Sequence, residues 1–336
     1  MKRLTLPKDY ASALTQRDTQ RAIKLIKDTF QVKLAKALNL DRVTAPLIVT
    51  KASGINDDLN GVERKVNFTL KEQEDTEVEI VQSLAKWKRA ALAKYGYNPG
   101  EGIYTDMNAI RRDDDVDNLH SVFVDQWDWE AVITKQDRTL DYLKETVRRI
   151  ALAINETCRI LTAAYPQLSF VSEKEVFFIT TQELEDMYPD FTAKERENAI
   201  TKLHKTVFIM QIGGALKSGK RHDGRAPDYD DWSLNGDLFM WHDVLGCAVE
   251  LSSMGIRVDS ASLAHQLEIS AQEHRMSFPY HKAVASGTYP LTIGGGIGQS
   301  RLCLVLLSKA HIGEVQVSVW PEDMVDTCRE NNIILL

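Results

Sequence analysis

Ile293-Gly-Gly-Gly-Ile-Gly-Gln-Ser-Arg301 runs without a break into Leu302-Cys-Leu-Val-Leu-Leu307, and the reading of this stretch decides the fold. Gly294, Gly295, Gly296 and Gly298 strip the Cβ atoms from a strand-to-helix passage, so that a ligand can approach the backbone closely. Gln299, Ser300 and Arg301 then open a helix whose next residues are apolar, which predicts a buried helix with Arg301 at its N-terminal end. Free N–H groups and a guanidinium at that end both suit a phosphate. The same residues also fit a glycine hinge between two core elements with a solvated arginine, because a lone glycine cluster is a weak signal.

Two further stretches bear on that choice. Glu250-Leu-Ser-Ser-Met-Gly-Ile-Arg257 is strand-like and carries an acid and an arginine, and Gly102-Ile-Tyr-Thr-Asp-Met-Asn-Ala-Ile-Arg-Arg112 ends on Arg111. With the glycine stretch they resemble the catalytic core of class II aminoacyl-tRNA synthetases, and in particular the ammonia-dependent asparagine synthetase (aspartate-ammonia ligase) family that shares this core. Ser83-Leu-Ala-Lys-Trp-Lys-Arg89, His120-Ser-Val-Phe-Val-Asp-Gln-Trp-Asp-Trp-Glu130 and Arg225-Ala-Pro-Asp-Tyr-Asp-Asp-Trp232 extend the resemblance over nearly the whole chain. It implies a single α+β domain over residues 1–336, a mainly antiparallel sheet flanked by helices with the ligands on its open face, and a homodimer interface formed by the helix and strand at about 15–50.

Composition agrees with a soluble globular protein: 336 residues, 43% hydrophobic and 26% charged. Forty-one basic against 48 acidic residues give a net charge of -7, which disfavours a nucleic-acid partner. No apolar run is long enough to span a bilayer and Met1-Lys-Arg-Leu-Thr-Leu-Pro-Lys lacks a signal-peptide core, so neither a membrane nor export is expected and a cytoplasmic address follows. Cys158, Cys247, Cys303 and Cys328 show no CxxC or metal spacing, and the eight histidines form no zinc pattern.

In chain order, Ile23, Ile26, Phe30, Leu34 and Leu38 predict an amphipathic helix with Lys24, Lys27, Lys33 and Lys36 outward. Val43–Val49 predicts a strand that Pro46 confines to an edge or a subunit boundary. Gly54–Gly61 is a polar turn holding Asp57, and residues 62–70 with 77–81 predict a hairpin. Ser83 is placed to cap a helix over 83–93, whose Lys86, Lys88 and Arg89 have the pattern of a solvated face. Two strands flank the charged loop Arg111–Asn118. In the second, Gln126, Asp128 and Glu130 share one face, where burial without partners would cost several kcal/mol; they face water or a charged ligand. Leu140 to Leu161 forms the clearest amphipathic helix. Val176–Thr180 and Thr206–Ile212 are strands, Thr181–Tyr188 is a short helix, and Thr192-Ala-Lys-Glu195 is a capping box. Residues 236–241 and 248–258 are antiparallel strands, 260–268 and 280–286 are helical, Val315–Trp320 is a strand, and the last residues form a peripheral tail.

The resemblance assigns chemistry. It implies that L-aspartate and ATP form β-aspartyl-AMP, which ammonia converts to asparagine and AMP. Arg111 and Arg301 would neutralise the nucleotide phosphates over the glycines. Asp237 and Glu250 are carboxylates on neighbouring strands that would hold Mg²⁺ with those phosphates. Arg257 and Lys88 would bind the side-chain carboxylate and Asp128 the α-ammonium, with Ser83, Gln126, Ser252, Asp57 and Asp230 as further lining residues. The absence of a cysteine before Cys158 favours free ammonia over glutamine as the nitrogen source. An aminoacylating paralogue and a non-catalytic amino-acid-sensing dimer are the alternatives. The first is disfavoured by the acidic charge and the lack of an anticodon-reading barrel, the second by the presence of Arg111, Glu250 and Arg301.

Overall fold

The computed structural model describes residues 4–59, 63–168, 170, 172–173 and 175–336. In chain order the elements are α1 (Gln16–Leu38), β1 (Leu40–Arg42), β2 (Ile48–Thr50), β3 (Asn67–Leu70), β4 (Gln73–Ile80), α2 (Ala85–Tyr95), β5 (Gly102–Ile110), β6 (Phe123–Val132), α3 (Leu140–Ala164), β7 (Phe177–Thr180), α4 (Thr181–Met187), α5 (Ala193–His204), β8 (Thr206–Met210), β9 (Asp230–His242), β10 (Cys247–Arg257), α6 (Ser260–Ile269), α7 (Pro279–Ala285), β11 (Thr292–Gly298), α8 (Gln299–Leu306) and α9 (Glu322–Glu330).

Eight strands form one sheet in the order β1-β5-β6-β11-β10-β9-β8-β7, and β2-β4-β3 form a small second sheet. Only the β1–β5 and β7–β8 pairs run parallel, so the large sheet is mainly antiparallel, as expected. Alternation along the central strands divides its faces. Trp127, Trp129, Met254 and Ile297 point to one side, into a core shared with Phe30 of α1, Ile150 of α3 and Leu302 of α8. Gln126, Asp128 and Glu130 take the other side, opposite Gly298, Gly296 and Gly294 of β11. On that second face, α4 and α5 cover the far end through Leu184, Ile200 and Phe239.

Several expectations need correction. Residues 43–49 are not one strand: Val43 N donates to Tyr104 O of the large sheet at 2.9 Å, whereas Leu47 O accepts from Val81 N of the small sheet at 3.0 Å. Pro46, which has no N–H, sits at the crossing. The hairpin is present as β3–β4, but Asn60, Gly61 and Val62, the end of the polar turn and the start of the predicted hairpin, lie outside the described residues. Helix α2 starts at Ala85 rather than Ser83, whose Oγ accepts from Ala85 N at 3.1 Å. Val315–Trp320 forms no strand; Val317 and Val319 alternate correctly but are 68% and 80% exposed, without a ladder partner. The tail is not peripheral, because Met324 and Cys328 of α9 and then Ile333 are buried against Val116 and Ala310. Ile26 and Phe30 pack into their own core, with the Phe30 and Trp127 rings 4.7 Å apart, so this face of α1 is not free for a second subunit. Among the described residues no helix is long and apolar enough to cross a membrane.

Candidate active site

A cleft of about 550 Å³ opens on the polar face of the sheet. Its floor is Gly296 and Gly298 of β11 with Gln126 of β6. Arg111 and His120 come from the β5–β6 connection, Arg225 and Tyr229 from the loop before β9, Glu250 and Ser253 from β10, and Arg301 from the first turn of α8. The cleft continues into a chamber of about 90 Å³ lined by Asp57, Ser83, Lys88, Asp128, Asp230, Arg257 and Gly295. Leu59, Arg111, Gln126, Tyr229, Ser253 and Gly296 border both spaces.

The glycines of β11 are required by close approach. A Cβ on Gly294 would lie 2.7 Å from Arg257 Nη2 and still closer to Glu130 Oε2, and one on Gly296 would overlap the Gln126 amide. The Gly-Gly-Gly run is therefore a strand whose empty side makes room for the polar side chains beneath the cleft, and it is not a hinge. Ser300 N, at the start of α8, is already occupied: it donates to Asp125 Oδ1 at 3.1 Å. Arg301 leans across the cleft edge, with Nη1 donating to Glu250 O at 3.1 Å and lying 3.7 Å from Glu250 Oε2. Arg111 is positioned by Gln82 O, 3.4 Å from both its Nε and Nη2.

The chamber is built from buried ion pairs. Lys88 is 1% exposed; its ammonium pairs with Asp128 and donates to Gly295 O at 3.0 Å. Burial pushes the Lys88 pKa down, opposed by Asp128. Asp128 Oδ2 has no partner, so an acceptor is left for a ligand cation. Arg257 is held on two sides. Its Nε and Nη2 reach Glu130 Oε2 at 3.1 and 2.7 Å, and its Nη1 reaches Asp230 Oδ1 at 2.5 Å. Against burial, Arg257, Lys88 and the Thr292 hydroxyl hold the Glu130 carboxyl below its ordinary range, whereas burial leaves that of Asp230 raised in spite of Arg257. Asp57 is buried in the loop after β2, with Oδ1 accepting from Leu59 N at 3.0 Å. Burial raises its pKa, with Lys86 opposing and Asp228 adding to the rise.

Asp237 faces the same side as Ser253, its partner across β9–β10, but Arg225 covers it through an ion pair with its Oδ2. Its carboxyl is pushed up to about 7 by burial and by Glu250, with Arg225 opposing. Asp237 Oδ1 has no hydrogen-bond partner. A buried orphan oxygen beside a second carboxylate fits a hard divalent cation. Among the described residues no third acidic, histidine or cysteine ligand joins them, so phosphate or water oxygens would have to complete the shell.

Ser252 departs from its expected place. It lines neither space, and its hydroxyl is buried without a partner. It lies opposite Ile297 and Leu238, on the core face. A register shift between Glu250 and Ser252 lets both Glu250 and Ser253 reach the cleft, three residues apart, which a regular strand forbids. Lys86, Lys88 and Arg89 are all buried, so they are not a solvated face. Sequence reading missed Arg225, Tyr229, Ser253 and the pairing role of Glu130. The alternation of Glu130 with Gln126 and Asp128 pointed to that face, but nothing local marked the bulge.

The family sequence model described as aspartate-ammonia ligase matches residues 17–332. The chain belongs to the aspartate-ammonia ligase family. It is 57% identical over 333 residues to an aspartate-ammonia ligase of Levilactobacillus brevis, covering 99% of each chain. It is 58% identical over 334 residues to one of Clostridium tetani, covering 99% of this chain and 98% of that one. Among solved structures it is similar to Entamoeba histolytica asparaginyl-tRNA synthetase in complex with asparaginyl-adenylate, at a TM-score of 0.65 and 12% identity, over 90% of this chain and 66% of that one. Asparaginyl-tRNA synthetase from Pyrococcus horikoshii, also complexed with asparaginyl-adenylate, aligns with a TM-score of 0.65 and 16% identity over 90% of this chain and 70% of that one. At such identities the structural likeness concerns the fold, that of the class II synthetases.

Proposed function

We propose that this aspartate-ammonia ligase family member makes L-asparagine from L-aspartate, ATP and ammonia through β-aspartyl-AMP. The observation that carries this reading is the junction of the two spaces: Arg111 and Gly296 border both a cleft with Arg301 at its rim and a small chamber holding Lys88, Asp128 and Arg257. An acyl phosphate formed between an amino acid in the chamber and a nucleotide in the cleft would lie at that junction. A side-chain carboxylate oxygen attacks the α-phosphorus and pyrophosphate leaves; ammonia then attacks the acyl carbon and AMP leaves. Arg111 neutralises charge growing at the α-phosphate, and Arg301 holds the outer phosphates. Arg257, assisted by Lys88, takes the side-chain carboxylate, and the free oxygen of Asp128 takes the α-ammonium. Ser83, Gln126 and Ser253 complete the chamber wall.

Asp237 and Glu250 would hold Mg²⁺, which would supply positive charge against the nucleotide phosphates. Asp57 and Asp230 are the carboxylates that would capture ammonium and accept its proton. No covalent link to the protein is required, because positioning and charge suffice. We also place a two-fold interface at residues 15–50, supported by the exposed Val32, Leu47 and Ile48; a monomer in sedimentation at micromolar concentration would refute it.

The direct test supplies aspartate, MgATP and ammonium and follows asparagine and AMP. Equimolar products are expected, with an apparent KM for total ammonium that falls as pH rises. Glutamine freed of ammonium should give none. Efficient product formation from that glutamine would overturn ammonia as the nitrogen source, and no product from ammonium would overturn the reaction itself.

A further inference from the structure

Behind the amino-acid chamber lies a buried ionic cluster to which the chemistry above gives no work. Asp228 is fully buried, next to Tyr229 and two residues before Asp230, both of which line the chamber. Its Oδ2 accepts from Arg275 Nη1 at 2.8 Å and from His281 Nε2 at 3.0 Å, and Lys86 Nζ lies 3.6 Å away. Arg275 comes from a 3-10 turn over Glu273–Ser277 and His281 from α7, elements that line neither space.

Arg275 has a second partner. Its Nη2 lies 3.2 Å from Asp58 Oδ2, on the loop that carries Asp57 into the chamber. One guanidinium therefore ties that loop to the segment leading into β9. The loop is also held through Asn56, whose Oδ1 accepts from Gln82 N at 2.9 Å and whose Nδ2 donates to Glu79 Oε2 at 3.0 Å and Ile80 O at 3.1 Å, and through Asp58, whose Oδ1 lies 2.6 Å from Lys65 Nζ. Asp57 lies between the Asn56 and Asp58 fixings, and of these ties Arg275 is the one that reaches the segment leading into β9.

We propose that Arg275 is a positioning residue for amidation: by bridging Asp58 and Asp228 it fixes the 56–59 loop across the chamber and sets where Asp57 meets the incoming ammonia. The inference rests on the asparagine-forming reading. Without the bridge each carboxylate keeps another cation, since Lys65 Nζ lies 2.6 Å from Asp58 Oδ1 and Lys86 Nζ 3.6 Å from Asp228 Oδ2, which also keeps its hydrogen bond to the His281 ring. No buried charge is abandoned. What is lost is the tie between the two loops, and a reacting group misplaced by about 1 Å costs on the order of 100-fold in rate.

The test compares Arg275→Met, Asp58→Asn and the double variant in the full-length protein, measuring kcat and the KM for ammonium, aspartate and ATP. Both single variants should lose about 10- to 100-fold in kcat/KM for ammonium while the ATP KM stays within about twofold. The double variant should lose clearly less than the product of the two single losses, because both substitutions break the Arg275–Asp58 bridge while each also removes one contact of its own, Asp58 with Lys65 and Arg275 with Asp228. Arg275→Lys, which can reach one carboxylate at a time, should recover only part. A purely structural role would instead lower Tm and shift all the constants together. Unchanged ammonium constants in a folded Arg275→Met protein, or additive losses in the double variant, would overturn the proposal. Should Arg275→Met not fold, Asp58→Asn decides alone, and wild-type constants in it refute the bridge. A wild type that makes no asparagine overturns the functional reading, whereas an active wild type beside unaffected variants overturns only the role of Arg275.

Discussion

Arg257→Met separates what a buried ion pair does for the fold from what it does for the ligand. Arg257 is 2% exposed and reaches both Glu130, which is 0% exposed, and Asp230, which is 2% exposed. Removing the cation leaves two carboxylates in the interior, and breaking such a pair from one side costs about 3–5 kcal/mol. Against a total stability of about 5–15 kcal/mol that is a large fraction, and Tm should fall by roughly 4–7 °C. Adding Glu130→Gln removes one of the uncompensated charges while keeping an acceptor for the Thr292 hydroxyl, which donates to Glu130 Oε1 at 2.7 Å. Stability should then return in part, with Asp230 still uncompensated. Activity should not: a buried carboxylate partner lost from the substrate is worth about 2–5 kcal/mol, or roughly 30-fold to several thousand-fold. Thermal melts read the first effect and aspartate-dependent pyrophosphate release the second. Wild-type Tm in the single variant would refute the buried-pair argument. Wild-type pyrophosphate release in the double variant would remove Arg257 from the chamber's chemistry.

Two other perturbations test the floor and the metal site. Gly294→Ala places a methyl 2.7 Å from Arg257 Nη2 and against Glu130, so the pair must shift; the aspartate KM should rise by about tenfold or more with the ATP KM unchanged, and steady-state kinetics showing equal effects on both would contradict the geometry. Asp237, with its carboxyl pushed up to about 7, is protonated below that pH, so the metal must displace a proton there and none well above it. Calorimetry of MgATP binding in buffers of different ionisation heat should show proton release at pH 6.5 that fades by about pH 8 and is absent in Asp237→Asn; pH-independent release would exclude Asp237 as a ligand.

Much of the fold was legible where local pattern and long-range packing agree. The β5–loop–β6 unit and helix α3 carry a period that matches the face they bury, and the β11–α8 passage is marked by its glycines and the unbroken apolar run after Arg301. Failures fall where a partner decides. Val315, Val317 and Val319 alternate as a strand should, yet alternation gives only the side-chain period, and no neighbouring strand supplies the hydrogen bonds. Ser252 and Ser253 are indistinguishable in sequence; the bulge after Glu250 chooses between them. Met324 and Cys328 stand four residues apart, one helical turn, but it takes Val116 and Ala310, which cover them, to show that the tail is docked. Glu130 reads as one carboxylate of a polar face until Arg257, 127 residues away, shows what it pairs with.

Helix α2 shows why the site and the fold form together. It has 11 residues, and a period-based reading turns its cations to water. Yet Lys86, Lys88 and Arg89 are each no more than 2% exposed. Each finds a partner from a different part of the chain: Lys86 lies by Asp228, Lys88 meets Asp128 and Gly295 O, and Arg89 donates to Val258 O at 2.7 Å and Pro290 O at 2.9 Å. A buried cation without such a partner costs several kcal/mol, more than an 11-residue helix offsets by its own propensity. Docking of α2 is therefore favourable only together with β6, β10, β11 and the 228–230 segment. Those same elements carry Asp128, Arg257, the glycine floor and Asp230. The charges that would grip an aspartate are fixed by the same contacts that complete the core, so the chamber needs little rearrangement of its own walls to receive a ligand.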